Sequence, residues 1–227
     1  MGLRDAAYRA FTHQLVAREI RPGALVSQRE LSERTGFPLG AIREMIPRLE
    51  AEGLIRAIPQ RGLQVLAPDA RLVREAFALR ALIEHEALAF FVATAPEAAI
   101  EAERAALAGV IAEAEAGITP ELLVRAQAVD WGFHDRLVES LDNRLIAEAY
   151  RVNAIRIRMM TPERVTLSAA YFTTAMREHM AIVAALARRA SAAARAARDT
   201  HLESARRRAL ALGPTLPEGD EAALTPR

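Results

Sequence analysis

"LIRAIPQRGLQVLAP", residues 54–68, decides the fold. Two short β-prone runs, 54–58 and 62–66, flank Pro59-Gln60-Arg61-Gly62, so the stretch predicts a hairpin with a glycine in its turn. Upstream of it the pattern is helical. Residues 4–19 place Ala7, Phe11, Leu15 and Val16 on one face of a first helix. Pro22-Gly23 marks a turn. Ser27 and Glu30 in "SQRE" form a capping box that opens a second helix, which should stop near Gly36. A third helix is expected over about 39–52, closed by a left-handed Gly53. Three helices followed by a hairpin predict a winged helix-turn-helix, whose helix after the turn enters the DNA major groove. A small helical domain with an incidental hairpin would give the same pattern.

Working outward, residues 67–70 ("APDA") form a linker, and everything beyond is helical in pattern. Helices are expected over about 70–93, 97–116, 120–140, 143–161, 167–188 and 192–211, with Asp69, Thr119, Asp142 and Ser191 as N-caps. Six such helices predict an antiparallel bundle over 71–212. The fold class is therefore mainly α: a winged domain over 1–66 and a helical domain behind it. Residues 213–227 are rich in Pro and Gly without periodicity and are expected to be a disordered tail.

Composition limits the chemistry. The 227 residues carry a net charge of +1, contain no Lys and no Cys, and so offer no disulfide, thiolate ligand or thiol nucleophile. Residues 1–66 hold ten Arg against seven acidic residues, whereas the remainder holds twenty against twenty-two. A mildly basic front and a mildly acidic back suggest two parts with different partners. No signal peptide and no membrane-spanning apolar run are evident, so a cytoplasmic location is expected.

The helix over 120–140 poses the chemical question. Its apolar stripe runs through Leu122, Ala126, Val129, Phe133 and Leu137, and Asp130 and His134 lie beside it. His179 falls within the stripe Phe172, Met176, Val183, and His201 within Ala194, Ala197, Ala205. These two histidines are 22 residues apart with a helix break midway. An antiparallel hairpin would bring them level, and Asp130 and His134 need only face them. One carboxylate and three imidazoles with open positions suit a borderline divalent ion. The alternatives are ordinary: a core imidazole bonded to a carbonyl, and an i,i+4 pair between Asp130 and His134. Burying four such groups is costly unless they are paired or metallated.

The chain resembles the GntR family of transcription regulators, in the subgroup whose effector domain is the all-helical FCD bundle. The resemblance covers about 4–211. It is carried in front by "PGALVSQRELSERTGF" and "IREMIPRLEAEGLIRAIPQRGLQV", and behind by Arg80/Glu84, "DWGFHDRLVES", "LDN", "REH" ending at His179 and "HL" starting at His201. It implies that Asp130, His134, His179 and His201 hold a divalent metal. Zinc is the first expectation, nickel and manganese the others. It also implies that a small carboxylic acid binds beside the metal. Arg80 matches an arginine that faces the effector, and a guanidinium grips a carboxylate in a bidentate fork; its alternative role is a buried salt bridge to Glu84 or Asp130. Glu84, Asn153 and Arg156 are the further effector-site candidates; Arg158 in the same "NAIRIR" stretch could also add a polar contact, and spacing leaves open which of Asn153, Arg156 and Arg158 point inward.

For DNA, Gln28, Arg29, Leu39, Arg43, Arg48, Arg61 and Gly62 are the candidate contacts. The family's hydroxyl- and arginine-bearing start of the recognition helix is replaced by Pro38-Leu39-Gly40-Ala41. Leu39 or Ala41 against a thymine methyl would give a different operator sequence, with weaker binding and shape readout as the alternative. A homodimer would set two recognition helices about 34 Å apart over a pseudo-palindrome. An effector would bias their orientation through a hinge at 67–70. A metal-responsive regulator without an organic effector is a further reading. An enzyme would need a general base, for which Glu84 is the candidate, and would leave the DNA-binding segment unexplained. No enzyme is therefore expected.

Overall fold

The structure is a computed structural model that describes residues 2–160 and 169–211. The front unit comprises α1 (Leu3–Val16), β1 (Leu25–Val26), α2 (Gln28–Thr35), α3 (Leu39–Ala51), β2 (Ile55–Ile58) and β3 (Gly62–Val65). Ser27 caps α2 by accepting the Glu30 N–H, and Gly36 ends it at φ 73°. Gly53, at φ 64°, closes α3 as expected. Pro47 lies inside α3 on its exposed side. Its missing N–H leaves the Arg43 carbonyl without an intrahelical donor, a loss that water offsets at an exposed position.

β2 and β3 form the expected antiparallel hairpin, with Ile55 opposite Val65 and Ile58 opposite Gly62. β1 is a two-residue strand that adds to β3, giving the order β1-β3-β2. It was not legible in the sequence, because two residues carry no period. Leu63 and Val65 point into the core, and Gln64 between them is exposed. Gly62 has φ 108°, and a Cβ there would stand 2.7 Å from the Val26 carbonyl oxygen. Gly62→Ala is thus expected to destabilise the winged unit by about 2 kcal/mol or more. A drop in denaturation midpoint measures it, and an unchanged midpoint would show that the β1–β3 contact yields freely.

Behind it stand α4 (Ala70–Thr94), α5 (Glu97–Ala114), α6 (Pro120–Glu139), α7 (Arg144–Met160), α8 (Ala169–Ala187) and α9 (Ser191–Ala211). Asp69 and Thr119 cap α4 and α6 as expected, accepting from Leu72 and Leu122. Asn143, not Asp142, caps α7: its Oδ1 accepts from the Leu145 and Ile146 N–H groups. Asp142 instead takes a left-handed φ of 46° in the turn. Ser191 is the first residue of α9 rather than its cap. The expected tail, 213–227, lies outside the described residues, as do the end of the seventh and the start of the eighth expected helix.

The bundle core gathers Leu88, Phe91, Leu107, Leu122, Phe133 and Ile182 among others, and α8 and α9 pack as an antiparallel hairpin. α7 belongs to both units. Ile155 and Met159 are buried in the core of the winged unit, alongside Phe11, Met45 and Leu49. Ile157 and Met160 join Val73, Phe77 and Ala209 in the bundle. Each buried side chain of this size contributes about 1.5–3 kcal/mol. Polar contacts frame the junction. Arg18 donates to the Met159 carbonyl at 2.7 Å and Arg151 to the Tyr8 hydroxyl at 2.7 Å, while Arg156 donates to the Glu52 carbonyl at the end of α3. The winged unit is therefore seated on α7 as well as tethered through 67–70.

Candidate metal centre and nucleic-acid interface

Asp130 and His134 are one turn apart on α6, His179 lies on α8 and His201 on α9. Their ligand atoms all lie within 4.8 Å of one another. His134 Nε2 is 3.1 Å from His179 Nε2 and 3.2 Å from His201 Nε2. Asp130 Oδ1 is 3.3 Å from His179 Nε2 and 3.9 Å from His201 Nε2. A tetrahedral ion with bonds of about 2.0–2.1 Å has edges of roughly 3.3 Å, so the four atoms are spaced as ligands of one cation. The levelness of His179 and His201 comes from the α8–α9 hairpin, and their ring centroids are 4.1 Å apart.

Each imidazole presents its other nitrogen to an oxygen. His179 Nδ1 is 3.1 Å from the Ala175 carbonyl, His201 Nδ1 is 3.1 Å from Glu178 Oε2, and His134 Nδ1 is 3.1 Å from Glu84 Oε1. The last pair is close but off the line of a hydrogen bond. A carbonyl or carboxylate oxygen only accepts, so the ring protons belong on the Nδ1 atoms. That leaves the Nε2 lone pairs of His179 and His201 each within 3.2 Å of the Nε2 lone pair of His134, an arrangement that a cation relieves and that oxygen acceptors behind metal-bound histidines commonly set up. Burial pushes the pKa of His179 and of His201 below the ordinary histidine value, and for His201 the neighbouring imidazoles add to it. For Asp130, burial works against the charge, but His179, His201 and His134 outweigh it and hold its pKa low. Neutral imidazoles and an ionised carboxylate are the protonation states a metal needs.

Around this group lies a second layer that the sequence pattern only half disclosed. Arg80 and Glu84 are both buried and pair at 2.6 Å, and the Tyr150 hydroxyl donates to Glu84 Oε1 at 2.8 Å. Burial opposes the Glu84 charge, yet Arg80 and His134 hold its pKa well below the usual carboxylate range. Glu84 is thus a partner of Arg80 and His134, with neither the access of an effector contact nor the freedom of a general base. Glu178, which sequence reasoning missed, receives Ser204 Oγ at 2.6 Å and stands against His201. The signal was present in "REH": a buried histidine on α9 needs an acceptor, and Glu178 faces that helix.

A cavity opens beside the group, bordered by Asp130, His201 and Arg80 and by Trp131, Tyr171 and Arg208. A smaller recess next to it is lined by His134, Tyr150 and Arg158. Arg80, on α4, borders the cavity, whereas the α7 candidates Asn153 and Arg156 do not. Asn153 is buried and donates to the Ala76 carbonyl at 2.8 Å. Arg156 turns the other way, toward Glu52 of the winged unit. Helical spacing explains the exchange: Arg158, two residues on from Arg156, faces the bundle and reaches the cavity.

On the winged unit, Arg29, Arg43 and Arg61 are exposed and have no acidic partner among the described residues. Arg43 Nε donates to Gln28 Oε1 at 3.2 Å, tying α3 to the start of α2. Leu39 is half-buried at the start of α3 and Gly40 faces open space. Ala41 is only 6% exposed and packs inward, so it cannot touch a base. Arg48 is not on this face. It lies over the Tyr8 ring and pairs with Glu52 and with Glu148 of α7, which makes it a junction residue. Gly62 sits at the wing turn, where its backbone conformation is the requirement.

Comparison with known proteins gives a consistent picture. Residues 75–204 match the family model for the FCD domain, and residues 3–65 that for bacterial regulatory proteins of the gntR family. Among solved structures, E. coli McbR/YncC superposes with a TM-score of 0.74 at 17% identity, covering 90% of this chain and 95% of that one. A putative transcriptional regulator GntR from Rhodococcus sp. RHA1 gives 0.72 at 20% identity, over 92% and 97%. No curated protein sequence matches the chain. Among the described residues no helix is long and apolar enough to cross a membrane.

Proposed function

This chain belongs to the GntR family of bacterial regulatory proteins and carries its FCD domain, and on that premise we propose that it is a DNA-binding transcription regulator controlled by a metal-anchored organic acid. The observation that carries the metal part is the convergence of three Nε2 atoms and one carboxylate, each imidazole with an oxygen at its back. Zinc suits a set of nitrogen and oxygen donors without thiolate. Asp130, His134, His179 and His201 would hold it, and the metal would supply a Lewis-acid anchor for a carboxylate in the adjoining cavity. Arg80 borders that cavity as a second cationic contact.

Two such chains in a homodimer would present Arg29, Arg43 and Arg61 to backbone phosphates and Leu39 to a base edge. α7 is the natural route between the sites. Ile157 and Arg158 border the cavity, while Ile155, Arg156 and Met159 hold the winged unit. An acid that favours one placement of α7 shifts the recognition helix with it, and it acts only through that difference in affinity. This replaces 67–70 alone as the hinge.

The test is binding of the purified protein to its own promoter region, followed by fluorescence anisotropy across a salt series. Affinity should fall steeply with salt, and Arg43→Ala should lower the slope of log K against log[salt] by about one for each phosphate contact removed. Salt-insensitive or absent binding would sink the regulator reading.

A further inference from the structure

Three arginines border the cavity beside the metal group, and they are not equivalent. Arg80 is committed to Glu84 at 2.6 Å. Arg158 is committed to Asp135, with contacts of 2.9 and 2.7 Å. Arg208 has no acidic partner among the described residues, and its guanidinium lies 5.6 Å from the centre of the Tyr171 ring. Among the described residues it is the cation at this cavity without a carboxylate partner.

Its position is set by helix geometry. Arg208 follows His201 by seven residues on α9, with Ala205 between them, and all three border the cavity. Seven residues are nearly two full turns, so Arg208 stands on the same helix face as His201, roughly 10 Å further along the axis. The cavity therefore has a cationic point at each end once the four-ligand group is metallated: the metal, only partly neutralised by Asp130, and Arg208. A chain of a few carbons spans that separation, and a single carboxylate does not. The other walls are mostly apolar and aromatic, with Phe77, Ile157, Ala175, Tyr171 and Trp131, and Gln127 is the uncharged amide among them. They fit a hydrocarbon body between two charged ends.

Resting on the acid-effector reading above, we propose that the ligand is a short-chain dicarboxylate, with one carboxylate at the metal and Arg80 and the other held by Arg208. Arg208 is then the residue that sets specificity between diacids and monoacids. Tyr171 supports it by fixing the plane of the guanidinium, which preserves the geometry a carboxylate needs. In a monoacid complex Arg208 gains no partner, and an apolar tail lies against it.

Calorimetric titration of the zinc-loaded full chain tests this with pairs matched in length: succinate against butyrate, glutarate against valerate, adipate against hexanoate. At least one diacid should bind about tenfold tighter than its monoacid counterpart, the worth of one charge-assisted contact. Arg208→Gln should lower the affinity for that diacid about tenfold and leave the monoacid within about twofold. Arg208→Lys should recover part of the preference, because the charge returns without the fork. Equal affinities within every pair in the unaltered protein overturn the proposal, as does an Arg208→Gln variant that weakens both acids alike. If no acid of either class binds while promoter DNA still does, the effector reading falls as well and the DNA-binding reading stands.

Discussion

Replacing His179 by alanine removes the rise in melting temperature that zinc gives to chelator-stripped protein. A ligand that binds the folded chain at about a thousandfold excess over its Kd stabilises it by about 4 kcal/mol. For a chain of this length each kcal/mol is worth about 2–4 °C, so zinc should raise the melting temperature by roughly 10 °C. His179 is fully buried, and its Nε2 stands 3.1 Å from His134 and 3.3 Å from Asp130. Without it the set keeps two imidazoles and a carboxylate, and the shift should shrink to about 2 °C or less. The variant also loses the edge-on contact of His179 with Phe133, which lowers the metal-free melting temperature. The comparison is therefore the shift on adding zinc to each protein, not the absolute value. An undiminished shift in His179→Ala would place the bound ion elsewhere.

Glu84→Ala is expected to cost about 3–5 kcal/mol, the largest loss of stability for a single change in the bundle. It would strand a buried guanidinium, because Arg80 is 7% exposed and Glu84 is its only acidic partner among the described residues. It would also take the acceptor from the Tyr150 hydroxyl and the carboxylate from beside His134 Nδ1. Two readouts follow. The urea midpoint falls, and zinc affinity drops about 10–100-fold because His134 loses the oxygen behind it. The double variant Arg80→Met with Glu84→Gln removes both charges together, and it should regain most of the stability while zinc affinity stays reduced. Were Glu84→Ala to leave zinc affinity untouched, Glu84 would be a partner of Arg80 alone.

The two effects separate what α8 and α4 contribute. On α6, Asp130 and His134 share a turn, and any helix through "DWGFH" puts them on one side. That much was legible, because helical spacing is local. The same holds for Asp69 and Thr119 as caps and for Gly36 and Gly53 as left-handed stops, each fixed by hydrogen bonds within a few residues. The hairpin at 54–66 was legible for the same reason, through its alternation and its glycine. The seating of His179 beside His201 followed from the symmetric spacing of the two about the break between α8 and α9.

Spacing left other side chains open where two segments compete for one of them. Arg48, Arg156 and Arg158 are all arginines on amphipathic helices, and spacing alone does not say which neighbour each meets. Arg48 and Arg156 went to the junction of the two units, and Arg158 to the cavity. Asn153 was drawn to a backbone carbonyl of α4. Glu84, an expected effector contact, became the buried counter-charge of Arg80. Glu178, Tyr150 and Arg208 escaped notice because their significance depends on groups 23 to 66 residues away for the first two and on a cavity for the third.

By itself the sequence determined most of the helices, most of their caps, the wing hairpin and the inward faces on which Asp130, His134, His179 and His201 lie, since each follows from periodicity or from hydrogen bonds within a turn or two. Only the tertiary structure decided which arginines are already neutralised, that α7 is shared between the two cores, and that Arg208 is left facing the cavity. The reason is that charge pairing and enclosure are properties of segments brought together, and no spacing within one helix records the partner on another.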